Sequence, residues 1–442
     1  VNGIADIAEV AALNASRAMV RIAPELDVPL TPRVRRLIDA AEFRRLSGIS
    51  QLGLVALVYP GAVHTRFEHS LGVYRLALLF LRQMAQDERF SAAVTPAEGE
   101  LFLVASLLHD VGHFPYCHPI EDIRLPNVLD HERAAEPLLT RGELADALRT
   151  DWNIDPADVA SLLADKPATT GLSILASMLS GPIDVDKMDY LARDSLHAGV
   201  PYGRNFDQSR LIGSLCLNER GDSLAITDKG KTAAEMMVFA RYVMFSEVYW
   251  HHGVRAATAM LQRAFYLLRD RVNLTPLYRA ADPAMAAALR EIASGTPALE
   301  LVDGLFGQSR RLYKRVVQFS WFEERGGFQR LARRPYAELV ACAERFAELA
   351  SSRLGKPIAA HEVLFDAPPP QREIEFNVEV YFAKERKYRA LGEVSPVVRT
   401  LAREQFDDYV KRVRLFAHPR VADDLKTCPD LLDLVHRAIE SA

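Results

Sequence analysis

Half of the twelve histidines in this 442-residue sequence fall between positions 64 and 131, less than a sixth of its length. They are His64, His69, His109, His113, His118 and His131. Three segments around and beyond them have residue types that do chemistry: Arg66-Phe67-Glu68-His69-Ser70, His109-Asp110-Val111-Gly112-His113, and Asp184-Val185-Asp186-Lys187-Met188-Asp189-Tyr190. His109-Asp110 directly follows the apolar run Leu101–Leu108, so the carboxylate is expected beside a buried helix. An ionised Asp there is costly unless paired or bound to a cation. His69, His109, Asp110 and Asp186 together offer two imidazoles and two carboxylates. That mixed nitrogen and oxygen set suits Mn²⁺, Fe²⁺, Co²⁺, Ni²⁺ or Zn²⁺ better than Ca²⁺. Four protein ligands leave positions on an octahedral ion for water and a phosphoryl oxygen.

A second set follows from helical spacing. Lys187, Tyr190 and Asp194 stand at i, i+3 and i+7, one stripe of a helix over 186–194. Cation, aromatic ring and acceptor in that order suit phosphate, sugar and hydroxyl. Arg241, Phe245 and Tyr249 repeat the pattern at i, i+4 and i+8.

The elements that must position these groups read mostly as helices. Apolar residues Val34, Leu37, Ile38, Ala41, Leu46 and Ile49 predict helix over 31–52. Pro60-Gly61 marks a turn. Helices are expected over 67–84 and 98–109. Short strands over 211–217 and 224–227 flank a turn at 218–222. A long helix then opens at Thr232-Ala-Ala-Glu235, read as a capping box, and extends to about Arg271. Gly230-Lys231-Thr232 looks like the end of a phosphate-binding loop, but Ala225 stands where that motif needs glycine. After Pro368-Pro369-Pro370 the period changes to two, with Ile374, Phe376, Val378, Val380 and Phe382 on one face of a strand. Ser395-Pro396 begins a helix expected to reach about Lys411, and Val413–Ala417 reads as a closing strand.

Composition narrows the classes. Lys plus Arg total 54 against 58 for Asp plus Glu, a net charge of −4, which disfavours a general nucleic-acid coat. At 49% hydrophobic and 25% charged, the chain is a folding sequence. The longest apolar runs fall well short of a membrane span. The Ala-rich start carries Asp6 and Glu9 and does not read as a secretory signal. Four dispersed cysteines, with no CxxC pair, suit a reducing cytoplasm.

His69, His109-Asp110 and Asp186 resemble the H…HD…D signature of the HD-domain phosphohydrolase superfamily. Further segments are Phe43-Arg-Arg-Leu46, Gln51-Leu-Gly53, Tyr59-Pro-Gly61, Thr65-Arg-Phe-Glu-His-Ser-Leu-Gly72, Leu107-Leu-His-Asp-Val-Gly-His113 and Ile183-Asp-Val-Asp-Lys-Met-Asp-Tyr-Leu-Ala-Arg-Asp194. They are similar to its deoxynucleoside-triphosphate (dNTP) triphosphohydrolase branch over roughly residues 30–260. The resemblance implies a mainly α fold: an HD-domain helical body with a small β-hairpin insertion and a C-terminal α+β module. The corresponding parts are an N-terminal extension (1–30), the HD domain (31–275), a helical extension (276–370) and the module (371–442).

The resemblance also implies roles. His69, His109, Asp110 and Asp186 would hold one divalent metal, with Mg²⁺ as a nucleotide partner. His113, Glu121 and His131 would form a catalytic His–acid–His group, and His118 would contact phosphate. Arg66, Lys187 and Arg241 would bind phosphates, and Tyr190 would pack on the sugar. Gln51 and Asp194 would read the 3′-hydroxyl, and Tyr249 would line the 2′ face. The implied reaction is dNTP hydrolysis to deoxynucleoside and triphosphate, in a homo-oligomer (dimer or tetramer), with single-stranded nucleic acid a less favoured partner. Two departures stand out. Trp250 replaces a common Gln, and the activator pattern keeps Asp39 but has Arg44 and Ser47 in place of its Gln and Arg, against activation by GTP or dGTP. Two alternatives stay open: a phosphohydrolase of a nucleoside monophosphate or cyclic nucleotide, and a non-catalytic nucleotide- or nucleic-acid-binding module.

Overall fold

The computed structural model describes residues 3–15, 18–164, 166–369, 377–402 and 410–441. The fold is mainly α with a C-terminal α+β region. Three helices frame the histidine-rich segments. Arg66–Met84 starts at Thr65, whose hydroxyl accepts from Glu68 N, satisfying an orphan donor of the first turn. Pro96–Leu108 starts with Pro96 at its first turn and a reciprocal Thr95/Glu98 capping box. Its residues 101–108 are all buried, as expected of a helix apolar on every face. Val185–His197 is capped by Asp184, which accepts from Lys187 N at 2.6 Å. Both Pro96–Leu108 and Val185–His197 pack on Arg66–Met84. Leu71, Leu76 and Phe80 are buried there, each worth about 1.5–3 kcal/mol, while Leu79 is half-buried.

Two expected helices are broken. The 31–52 run divides into Pro32–Asp39 and Ala41–Arg44, because Ala40 is extended (φ −61°, ψ 142°), and then tightens into a 3₁₀ turn, Arg45–Gly48. Most of the apolar period survives: Val34, Leu37, Ile38, Leu46 and Ile49 face the core, joined by Phe43, while Ala41, at the start of the second piece, is exposed. The helix expected from Thr232 to Arg271 becomes Lys231–Met244, a π-helical turn Phe245–Tyr249, and His252–Leu268. Trp250 fills the break. Its indole N–H donates to Arg412 O at 3.0 Å, and the Arg255 guanidinium lies 4.0 Å from its ring centre. The Thr232/Glu235 capping box does not form, since Gly230 is the N-cap. Glu235 lies 3.7 Å from Lys231 instead. The strand Leu224–Thr227 does form just before Gly230, as expected for a turn and not a phosphate loop.

Of the strand expected at 211–217, only Leu215–Leu217 forms; Gln208–Ile212 is helical. Leu215–Leu217 pairs antiparallel with Leu224–Thr227, which pairs in parallel with Glu379–Phe382, and that strand with Lys387–Ala390. A second sheet orders Lys314–Phe319, Val413–Ala417 and Val363–Asp366, with Val413–Ala417 in the centre and not at the edge. The segment after the prolines thus contributes strands to two sheets. Ile374 and Phe376 lie outside the described residues, as do 403–409 of the helix that begins Pro396–Ala402. An unforeseen hairpin, Met19–Ile22 with Leu26–Pro29, precedes the first of these helices. The four cysteines are free, and no described helix is long and apolar enough to cross a membrane.

Candidate active site

His69 projects from the first turn of Arg66–Met84, and His109 caps the end of Pro96–Leu108. Their Nε2 atoms are 3.2 Å apart. Asp186, in the first turn of Val185–His197, places Oδ1 3.0 Å from His69 Nε2 and 3.7 Å from His109 Nε2. Asp110 Oδ1 lies 3.4 Å from His109 Nε2. Single donor atoms from His69, His109 and Asp110 all fall within 4.8 Å of one another, so these residues can hold a metal ion. The electrostatics fit a cation. Burial opposes charge on His69, yet Asp186 and Asp189 outweigh it and push its pKa up to about 10. Asp110 is likewise buried, but His113, Arg66 and His109 hold it well below the usual carboxylate range.

Beside this cluster His113, His118 and His131 converge. The ring centres of His113 and His131 are 4.0 Å apart, and His118 lies 5.1 and 5.3 Å from them. Gly112 permits this approach, because a Cβ there would sit 2.0 Å from the carbonyl oxygen of His131. Glu121 accepts from His131 N at 2.7 Å and lies 3.1 and 3.2 Å from His131 Nδ1. It is 3.6 Å from His118 Nδ1. Burial would raise Glu121, but these imidazoles pull it down to about 2. Burial would lower His131, but Glu121 raises it. His113, buried and facing Arg66, is well below the ordinary histidine value.

A cavity of about 440 Å³ is lined by His118 and by Arg66, which donates to Asp110. Gln51, Arg66, His118, Tyr190, Asp194 and Tyr249 line it, with Trp250, Arg255 and Lys411 farther along. Asp194 is fixed from two sides: Tyr249 Oη donates at 2.6 Å, and His64 Nε2 lies 2.8 Å away. Gln51 is pinned through its main chain, which donates to His64 O at 3.0 Å. Its buried side-chain oxygen has no hydrogen-bond partner among the described residues. Such an acceptor is costly to leave unmet.

The HD domain family matches residues 66–194, and the family described as the HD associated region matches residues 206–436. The chain belongs to the HD-domain phosphohydrolases. An uncharacterized protein of Methanocaldococcus jannaschii is 30% identical to this HD-domain chain over 391 residues, covering 87% of the chain and 76% of that relative. The deoxynucleoside triphosphate triphosphohydrolase SAMHD1 of Gallus gallus is 30% identical over 269 residues. That match covers 54% of this chain and 43% of SAMHD1, so the chain spans less than half of that relative's length. A crystal structure of a hypothetical protein from Aquifex aeolicus superposes with a TM-score of 0.70 at 26% identity, covering 93% of this chain and 99% of that one.

Within the HD-domain site, most residues singled out from the sequence come together. Lys187 and Arg241 do not line the cavity. The Lys187 ammonium donates to Asp184 Oδ2 at 2.6 Å and to Gly181 O at 3.2 Å. The Arg241 guanidinium lies 5.5 Å from the Phe245 ring centre, and its charge acts on Tyr190. Arg66 donates to Asp110 Oδ2 at 2.8 Å.

Sequence reasoning missed Asp189 and Arg193. Asp189 Oδ2 is 2.8 Å from His69 Nδ1. Arg193 donates to both Asp189 oxygens at 2.8 Å and to Glu68 at 2.8 Å. The signal was present: Asp189 follows Asp186 by three residues and precedes Arg193 by four, on one helix face. His64 was also missed as the second partner of Asp194.

Proposed function

We propose that this chain is a metal-dependent hydrolase of dNTPs, releasing deoxynucleoside and inorganic triphosphate. The carrying observation is a His/Asp cluster fit for a divalent ion, linked through Arg66, which donates to Asp110, to a cavity of nucleoside size. Ligand sites commonly occupy about 300–1,000 Å³, and this one is about 440 Å³. SAMHD1 relatives named as dNTP triphosphohydrolases support the substrate class.

His69, His109, Asp110 and Asp186 would hold the ion, of the Mn²⁺, Fe²⁺, Co²⁺, Ni²⁺ or Zn²⁺ class. Bound there, it would polarise a phosphoryl oxygen and lower the pKa of water. Arg66 supplies a guanidinium between the cluster and the cavity to offset phosphate charge. Asp194, held by His64 and Tyr249, and the unmet oxygen of Gln51 orient the sugar through its 3′-hydroxyl. Tyr190 packs on the sugar, and Tyr249 crowds the 2′ face. Glu121 keeps His131 protonated and faces His118, which lines the cavity and delivers a proton to the leaving sugar oxygen. His113 stays neutral and packs its ring against His118 and His131. Lys187 and Arg241 engage the distal phosphates after rearranging from their present contacts.

One observation favours a second reading. Because Lys187 and Arg241 do not line the cavity, a nucleotide with fewer phosphates would need only Arg66. We therefore keep hydrolysis of a nucleoside monophosphate or cyclic nucleotide as the competitor. The deciding experiment incubates the Mn²⁺-loaded chain with dNTPs, NTPs, dNMPs and cyclic nucleotides and identifies the products. Triphosphate release supports the proposal; orthophosphate or pyrophosphate alone rejects it. A homodimer or homotetramer acting in the cytoplasm is the accompanying expectation, checked by light scattering and fractionation.

A further inference from the structure

We propose that His113, His118 and His131 form a second transition-metal site, suited to Zn²⁺, distinct from the cluster around His69. Single donor atoms of the three imidazoles fall within 4.8 Å of one another. His131 is oriented as a ligand, its Nδ1 facing the Glu121 carboxylate at 3.1 and 3.2 Å. His113 Nδ1 is buried 3.1 Å from Asp110 Oδ1 without a hydrogen bond among the described residues. An imidazole that donates its Nδ1–H to a carboxylate presents the Nε2 lone pair, the arrangement that recurs behind metal-bound histidines.

The three rings come from separate elements: the turn after Pro96–Leu108, the short helix Cys117–Glu121, and the start of His131–Thr140. The packing of His131 O over Gly112 ties the first to the third before any ion arrives. An entry path exists too. His118 is 58% exposed, and a second cavity of about 490 Å³ adjoins it. Glu121, Asp122, Asp130 and Glu132 line that cavity with Arg124 and the imidazoles of His118 and His131, an acidic lining that attracts cations.

Three imidazoles with one open position suit tetrahedral Zn²⁺. The His69 cluster, with its mixed donors, suits a six-coordinate ion. The two sites therefore sort different metals. The consequence for turnover rests on the hydrolase reading: an ion on these nitrogens removes the group that delivers the proton, so Zn²⁺ at the second site inhibits.

The test uses the full chain, loaded with Mn²⁺ and titrated with Zn²⁺, with Co²⁺ as a spectroscopic substitute. The expected result is two ions per chain. His118→Ala, an exposed change, removes a ligand and weakens the second ion. Glu121→Ala weakens it about 10–100-fold by freeing His131. In both variants the Mn²⁺ content stays at the wild-type level, which also reports folding. Asp186→Ala reverses the pattern, losing the first ion and keeping the second. One ion per wild-type chain overturns the proposal, as does a second ion indifferent to His118→Ala. A cobalt–thiolate charge-transfer band lost in Cys117→Ser also overturns it, by moving the ion to the overlapping group Cys117, His118 and Glu121. Absence of dNTP hydrolysis leaves the ion count untouched, so the two failures are distinguishable.

Discussion

Asp189 holds His69 from behind: its Oδ2 lies 2.8 Å from the ring's Nδ1, while Asp186 Oδ1 lies 3.0 Å from Nε2. The ring is thus fixed at both nitrogens, with Nε2 turned toward His109. Asp189→Ala is expected to reduce affinity for the first metal about 10–100-fold, read as ion content after dialysis against a chelator. Unchanged retention would remove Asp189 from the site.

Gly72 makes that support sterically possible. A Cβ at this position would fall 2.0 Å from Asp189 Oδ1 and 2.4 Å from Arg193 Nη2. Gly72→Ala must displace a buried ion pair, so a loss of about 1–3 kcal/mol in urea unfolding is expected. Metal retention should fall with it. A variant with wild-type stability and wild-type metal content would contradict the packing argument.

The pH profile should carry the mark of Glu121. Its carboxylate raises His131 above the ordinary value of 6.5 against the opposing effect of burial. The charged His131–Glu121 pair is fully formed below 6.5 and is lost as pH rises through the raised value. Glu121 itself protonates only near 2. Wild-type turnover should therefore hold past pH 6.5 and then decline. In Glu121→Gln the alkaline decline should begin at lower pH, and an unmoved decline would dissociate this pair from proton delivery.

Tyr249→Phe removes one of the two groups that fix Asp194. A hydrogen bond to a charged group contributes about 1.5–3 kcal/mol. KM for dNTPs should rise correspondingly, and discrimination against NTPs should weaken because the sugar is less firmly seated. Steady-state kinetics with paired dNTP and NTP substrates would test this. Equal loss on both substrates with discrimination intact would count against a role at the 2′ face.

Arg255 and Asp366 form a buried ion pair, with Nη2 at 2.5 Å from Oδ1 and Nε at 3.2 Å from both oxygens. Removing Arg255 alone strands the Asp366 charge, at a cost of about 3–5 kcal/mol. Arg255→Met with Asp366→Leu should recover much of that loss. Thermal and urea unfolding of the single and double variants would show it, and equal destabilisation in both would refute the stranded-charge account.

Much of the candidate site was legible because its residues interrupt apolar helices, where polar groups are conspicuous. His109-Asp110 after 101–108 and His69 inside 66–84 are such interruptions. The helices themselves were legible from period alone. What period cannot show is where a helix changes pitch. Nothing in the order Arg241, Phe245, Tyr249 announces the π turn, because the break depends on Trp250 finding Arg412 O and Arg255, far along the chain. The division at Ala40 is equally silent, since alanine is the best helix former and tertiary packing overrides it. The strand 379–382 has a plain two-residue period, yet its parallel partner at 224–227 is set by topology and not by local pattern. Asp189 was overlooked for a different reason: it sits among the charged neighbours Asp184, Asp186 and Lys187, and only the third dimension separates the one that reaches His69 from behind.

The cavity beside the candidate site is closed by chain that comes late. Lys411 forms part of its wall, and Arg412 O anchors the indole of Trp250 at its rim. During synthesis the metal helices are complete some two hundred residues before that wall exists. A nascent or clipped polypeptide lacking it would own the candidate ion-binding groups but no finished cavity, so the proposed hydrolysis would begin only once the whole body has assembled.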